Sequence, residues 1–408
     1  MMKNKKPLLF YGYVVVTAAF SILMIAWGSN RTFGIFLEPM LNEFGWTRAG
    51  ISGAFTLAMI LTGAAAIVAG RLTDRFGPRL VLISCGFLLG LGYILVSQIN
   101  TMWQFYLFYG VMTGVAMSGA AAPLMSVIAR WFYKNRALMT GIITAGPSLG
   151  IVVMPLVFSM LIQAYDWRVS YIILGGTVLA VILPAALFLK RDPGQMGLMP
   201  HGTNKESTGD FDLQKVGFSL GDAMRTRQFW LLSVIGFCDM FLVNVVTVHI
   251  VIHAIGLGFT PATAASVLSI AAGVSIPARI MVGGIADRIG SRKALTAVLI
   301  TSVFAFVLLL VARELWTLYL FAALYGVGLW ASFVVVSPLV ADLFGLKSHG
   351  TILAFIVLAS TMGGAVGPVL AGYIFDVSSS YQPAFLLCLA LTLISLTAII
   401  CLRPIKHQ

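Results

Sequence analysis

The sequence predicts an all-α polytopic membrane protein, with twelve transmembrane helices in two pseudo-symmetric six-helix bundles. Three observations carry this reading. Of 408 residues, 59% are hydrophobic and only 10% are charged, where a soluble globule carries roughly 25% charged residues. Apolar stretches of about 20 residues recur from end to end, each long enough to cross a hydrocarbon core of about 30 Å. One long polar stretch divides these runs, and the sequences on its two sides echo each other. The strand alternation of an outer-membrane barrel is absent.

Taken in order, the first apolar run places a span at 9–39. It is too long for a cleaved signal and continues as a spanning helix. A second span at 50–70 ends in Gly70-Arg71-Leu72-Thr73-Asp74-Arg75-Phe76-Gly77-Pro78-Arg79, after which the third runs 79–99. The fourth, 103–130, and the fifth, 137–164, flank the basic loop Arg130 to Arg136. The sixth is 169–189. The segment 191–227 follows, with Asp192, Lys205, Glu206, Asp210, Asp212, Lys215 and Asp222, and reads as a linker. Spans at 228–256 and 261–286 then lead to Gly284-Ile285-Ala286-Asp287-Arg288-Ile289-Gly290-Ser291-Arg292. The remaining spans are 294–312, 316–341, 350–375 and 382–402. The expected domains are therefore a bundle at 1–190, a cytoplasmic linker at 191–227 and a second bundle at 228–408.

The formal net charge of +12 reflects topology. All but five of the 26 Lys and Arg, the exceptions being Arg31, Arg48, Arg168, Arg279 and Arg313, fall in the termini or in loops on one prospective side. That bias is the positive-inside rule. It puts both termini in the cytoplasm of a multi-pass protein of the cell (inner) membrane, and it argues against a nucleic-acid partner. The four cysteines lie in apolar runs without metal-ligand spacing, so no metal or redox role follows.

Two motifs recur at matching places in the two halves. Both loops after the second span of a half read G-x-x-x-D-R-x-G-x-R, around Asp74-Arg75 and Asp287-Arg288. Glycine permits a tight turn and close approach there, and an Asp near helix ends can make charge-assisted bonds that latch one conformation. These four residues are the expected gate. The second echo joins Gly141 to Gly150 in span five with Gly363 to Pro368 in span eleven, where Gly and Pro allow close packing and a bend.

With its paired loop signature, the whole chain resembles the major facilitator superfamily. Arg31-Thr32-Phe33-Gly34, Glu43-Phe44-Gly45-Trp46, Arg130-Trp131-Phe132-Tyr133 and Ala341-Asp342-Leu343-Phe344-Gly345 are similar to bacterial members of the monocarboxylate transporter family. The resemblance implies two bundles rocking about a central cavity, and an Arg in span eight, here Arg279, as a family feature. Animal members carry an Asp one turn before that Arg, where this chain has Ser275. They also carry a Lys in span one, where Asn30 or Arg31 is the nearest match. A related oxalate exchanger carries a Lys in span eleven, absent here from Thr351 to Thr361. One central cation suits a monoanion better than a dianion.

Arg279 stands alone as a charge in the run Ala262 to Ile285. Lying nine residues before Arg288, it is roughly 13 Å deep. A charge at that depth is costly and marks a substrate path, and a guanidinium matches a carboxylate bidentately. The competing reading is a structural ion pair with Asp239, which lies at similar depth in span seven. Asp239 is either a proton carrier or the fixed partner of Arg279. His249 is either a proton relay or an interfacial histidine. Arg31, beside Asn30 at the end of span one, either draws anions inward or snorkels. Ser118, Thr144 and Ser360 offer hydroxyls to a carboxylate near midplane, and Trp330 walls the pocket. Each of these four is alternatively helix packing.

The function read from these residues is a secondary active carrier of small monocarboxylates of the lactate, pyruvate or acetate type. It works as a proton-coupled symporter by alternating access, as a monomer in the lipid bilayer. No P-loop, nucleophile–base pair or cofactor motif points to an enzyme. The alternatives are an organic anion exchanger or a proton-linked exporter, kept open because the Gly-Pro pattern of span five resembles a motif of antiporters in that superfamily, and, further off, a ligand-binding membrane sensor.

Overall fold

The computed structural model describes residues 10–202 and 217–402. The expected positions 203–216 of the linker, with Lys205 and Lys215, and both chain ends lie outside the described residues. Among the described residues, twelve helices are long and apolar enough to cross a membrane: α1 Tyr11–Phe44, α2 Gly50–Phe76, α3 Pro78–Val96, α4 Met102–Trp131, α5 Arg136–Ala164, α6 Trp167–Leu187, α7 Arg227–Gly256, α8 Thr263–Ile289, α9 Ser291–Val311, α10 Leu315–Phe344, α11 His349–Ser378 and α12 Gln382–Cys401. All twelve expected spans are present.

Local chemistry sets the joints. The α2–α3 turn sits on Gly77, at φ 88°, and the α8–α9 turn on Gly290, at φ 91°. Both need the left-handed region that glycine enters without a Cβ clash, so the repeated motif is one backbone device used twice. Pro78 then opens α3 at a position where its missing N–H costs nothing. α4 is irregular: Tyr106–Thr113 is π-helical, and the helix is interrupted again at 118–120.

α1 packs on α5, α3 on α6, and α2 on α4, building the first bundle around Tyr93, Tyr109, Phe36 and Trp131. In the second bundle α7 packs on α11, α8 on α10, and α9 on α10 and α12. The bundles meet along α5–α8 and α2–α11. Glycines make this seam tight. A Cβ on Gly141 would collide with the Arg279 carbonyl, one on Gly283 with the Ala137 carbonyl, and one on Gly70 with the Gly350 carbonyl at 2.7 Å. The segments flanking the undescribed linker residues also dock. His201 takes backbone bonds from Tyr133 and Lys134 and gives one to Trp131, while Phe218 donates to Phe344. Each thereby pins the loop before α5 or α11.

Candidate functional site

At the end of the seam nearest the chain termini, each bundle caps a helix of the other. Asp74, at the end of α2, accepts from the backbone N–H and hydroxyl of Thr351 at 3.0 and 2.9 Å, in the first turn of α11. Its other oxygen pairs with Arg130 at 3.1 Å, and Arg130 also donates to the Leu346 carbonyl at 2.8 Å. Asp287, at the end of α8, accepts from the Ala137 and Leu138 N–H groups at 2.8 Å, in the first turn of α5. A carboxylate at a helix N-terminus satisfies orphan donors and meets the positive end of the dipole. Arg136 adds an ion pair to Asp342 at 3.3 Å.

Two expected gate residues are not part of this closure. Arg75 is exposed and lies over the Phe76 ring at 5.0 Å, and Arg288 is exposed. The basic partners that cross the seam are instead Arg130 and Arg136. They flank the α4–α5 loop, Arg130 in the last turn of α4 and Arg136 as the first residue of α5, and only the fold shows that this loop faces α10 and α11.

Further along the seam, ten residues before the end of α8, lies Arg279. Its Nη1 donates to the Thr144 backbone carbonyl of α5 at 2.6 Å, and its Nε is buried without a hydrogen-bond partner among the described residues. Pro147 removes the N–H that the Ile143 carbonyl would receive, which opens the hydrogen-bond ladder of α5 beside Thr144. The Thr144 hydroxyl itself turns back to the Thr140 and Gly141 carbonyls. Next to this joint the Ser275 and Ser148 hydroxyls meet across the bundles at 3.3 Å. Ser148 was not singled out from sequence, although it sits four residues after Thr144 in the same Gly-Pro motif.

The expected ion pair between Arg279 and Asp239 is not formed: no Asp or Glu lies within ion-pair distance of Arg279 among the described residues. α7 and α8 do touch, but Asp239 points elsewhere. It is 1% exposed, the Ser332 hydroxyl of α10 faces it, and its Oδ1 has no partner. His249 is committed to packing. Its ring nitrogens contact the Tyr381 hydroxyl at 3.1 Å and the Pro368 carbonyl at 3.0 Å. It stands ten residues from Asp239 along α7, about 15 Å by helical rise, so it ties α7 to α11 and forms no relay with Asp239 here.

Arg31 does not end its span. α1 continues through a turn at Thr32 to Phe44, so Arg31 lies within the span; it is exposed, with Asn30 half-buried next to it and Tyr109 within electrostatic reach. The Ser118 hydroxyl donates to Val115, and the Ser360 hydroxyl to Ile356, on the α7–α11 contact. Trp330 is 9% exposed and donates to the Tyr325 hydroxyl at 3.2 Å. These three residues pack; the structure does not bring them to Arg279 by any hydrogen bond.

A family model described as Major Facilitator Superfamily matches residues 18–313 and 232–408. Monocarboxylate transporter 13 of Rattus norvegicus is 25% identical over 381 residues, covering 92% of this chain and 85% of that protein. Monocarboxylate transporter 2 of Homo sapiens is 23% identical over 394 residues, covering 93% and 82%. Among solved structures, the human organic anion transporter MFSD10 superposes with a TM-score of 0.74 at 16% identity, covering 97% of this chain and 100% of that one. FucP in the outward conformation gives 0.75 at 15% identity, with the same coverage.

Proposed function

The chain belongs to the major facilitator superfamily, and on that premise we propose that it is a secondary active carrier of small monocarboxylates of the lactate, pyruvate or acetate type, coupled to proton entry. The observation that carries this is Arg279: a guanidinium at membrane depth, without an acidic partner, held by one bond across the bundle seam and keeping its Nε free. With Nη1 on Thr144, the Nε edge is the one left to a carboxylate, which a planar fork accepts in bidentate fashion. Relatives named monocarboxylate transporters support the anion class. The termini face the cytoplasm by the distribution of basic loops, in the inner membrane of the cell, with the carrier acting as a monomer.

In this reading Asp74 and Asp287 are the inner latch of an alternating-access cycle. Asp74→Asn keeps the size and removes the charge that meets Arg130 and the α11 terminus. It should weaken inner closure by about 1–2 kcal/mol, a shift of roughly 5–30-fold in the population balance. Alkylation of a single cysteine placed on the buried seam should speed up accordingly, while intrinsic ligand affinity stays near wild type. An unchanged alkylation rate removes Asp74 from the latch.

The test of the function is uptake of labelled lactate, pyruvate and acetate into proteoliposomes, with and without an inward proton gradient. Accumulation driven by external acid is expected. Uptake only against an internal counter-anion, indifferent to pH, makes the protein an exchanger. Transport of none of these acids, in a folded protein, overturns the assignment.

A further inference from the structure

A groove of about 380 Å³ opens on the flank of the second bundle, where α7 packs beside α12. Arg227, Leu231 and Val234 line it from α7, and Leu393, Thr397 and Cys401 from α12. Each set is spaced to fall on one stripe of its helix. Val234 and Leu393 are exposed, so the groove opens at the surface. Its walls are apolar. Thr397 carries the one hydroxyl among the described lining residues, and that hydroxyl turns back to the Leu393 carbonyl at 2.8 Å. Arg227 is the one charged lining residue, and it stands at the end of the groove. It is exposed and makes no ion pair among the described residues.

Trp230, one turn along α7 from Arg227, marks the level of this end. It is exposed, and its indole N–H donates to the Met224 carbonyl at 2.8 Å. An indole with an apolar body and a bonded polar edge belongs at the membrane–water interface. Arg227 lies about 4.5 Å beyond it by helical rise, at the height of lipid headgroups. From there the groove runs about 10 Å along α7 to Val234 and about 12 Å along α12 from Cys401 to Leu393. One leaflet of hydrocarbon is about 15 Å deep, so the groove matches an acyl chain. It is too short to seat a spanning helix, which needs about 30 Å. The carbonyl end of α12 would by itself repel an anion at the mouth. Arg292 of α9 removes that obstacle by donating to the Ile399 and Ile400 carbonyls at 3.3 and 2.6 Å.

We propose that the α7–α12 groove is a binding site for an anionic phospholipid of the leaflet that meets the basic loops, with its phosphate on Arg227 and an acyl chain between the two stripes. A guanidinium fork matches a phosphate, and basic slots between spanning helices select acidic headgroups over zwitterionic ones, whose own cation competes for the phosphate. Occupancy of the groove does not depend on which solute the protein moves.

Cys401 gives a direct readout, because it lines the groove and is exposed while Cys238 and Cys388 are buried. The experiment measures alkylation of Cys401, by peptide mass, in the purified full chain in detergent. Phosphatidylglycerol, phosphatidylcholine with the same acyl chains, or glycerol phosphate is titrated in. Phosphatidylglycerol is expected to slow alkylation several-fold and saturably, and phosphatidylcholine to slow it far less. Arg227→Gln should abolish that preference, whereas Lys293→Gln, at an exposed cation on the same side of the second bundle, should keep it. Thr397→Trp, which fills the groove and leaves Arg227 in place, should also lose it, and serves if Arg227→Gln does not fold. Equal protection by both lipids, no protection by either, or a preference that survives Arg227→Gln or Thr397→Trp overturns the site. Protection by glycerol phosphate alone makes it a free-anion contact and overturns the lipid assignment. Protection that follows protein concentration and ignores lipid means that a second copy covers the groove, and overturns it too.

Discussion

Arg279→Ala is expected to abolish carboxylate uptake while leaving the carrier folded. The guanidinium makes a single hydrogen bond to protein, to the Thr144 carbonyl, and its Nε has no partner. Removing it therefore takes little from the fold. A substrate carboxylate, by contrast, would lose its one charged partner at a depth where water does not substitute. Truncating one side of a buried charge pair costs about 2–5 kcal/mol, which is roughly 30- to several thousand-fold in affinity. Arg279→Lys should recover only part of this. An ammonium is a point donor and cannot hold Thr144 and both oxygens of a carboxylate in one plane. Binding of labelled acid to the purified variants, next to their unfolding temperatures, separates the two losses. If folded Arg279→Ala binds the acid like wild type, the anchor lies elsewhere.

Much of this arrangement was legible in the sequence because the membrane enforces it. A span must be apolar for its whole length, so the helices announce themselves, and a lone Arg279 in such a span stands out. The repeated loop motif is legible for a similar reason: Gly77 and Gly290 adopt backbone angles that other residues avoid, so the sequence has to record them. What hydropathy does not carry is rotation about each helix axis. α7 and α8 touch as expected, yet Asp239 turns to Ser332 of α10 and Arg279 to α5. The partner of Arg279 is a backbone carbonyl, which no residue identity reveals. Nor does an apolar count show that α1 runs on through a turn at Thr32 to Phe44, which places Arg31 within the span and not at its end. The contact between the bundles was half visible: Asp74 and Asp287 are in the motif, whereas the helix ends they cap belong to the other bundle.

Asp239→Asn is expected to bind and exchange substrate but to lose accumulation driven by external acid. Asp239 lies about 18 Å along α7 from Arg227 and Arg279 about 15 Å along α8 from Ile289 by helical rise, so both stand near mid-membrane. They are not an ion pair, and the coupling therefore cannot come from a carboxylate displacing Asp239 from Arg279. Charge balance supplies it instead. An unloaded carrier with Arg279 positive and Asp239 negative is neutral at that depth. Loaded with a monoanion alone it bears one net negative charge, which is costly to hold in low dielectric. Loaded with the monoanion and a proton on Asp239 it is neutral again. On the proposed reading the neutral forms are the ones that rearrange readily, and anion and proton are expected to cross together without touching. Asn carries no charge and takes up no proton, so the variant is neutral when loaded with the anion alone but bears one net positive charge when empty; it therefore exchanges loaded for loaded and does not return empty. Uptake by wild type should rise as external pH falls, and the variant's should not respond. The decisive measurement is the steady-state gradient of labelled acid in proteoliposomes under an imposed pH difference. If Asp239→Asn concentrates the acid as wild type does, the proton is carried by another group, and the buried Asp239 with its Ser332 neighbour is a feature of packing between α7 and α10.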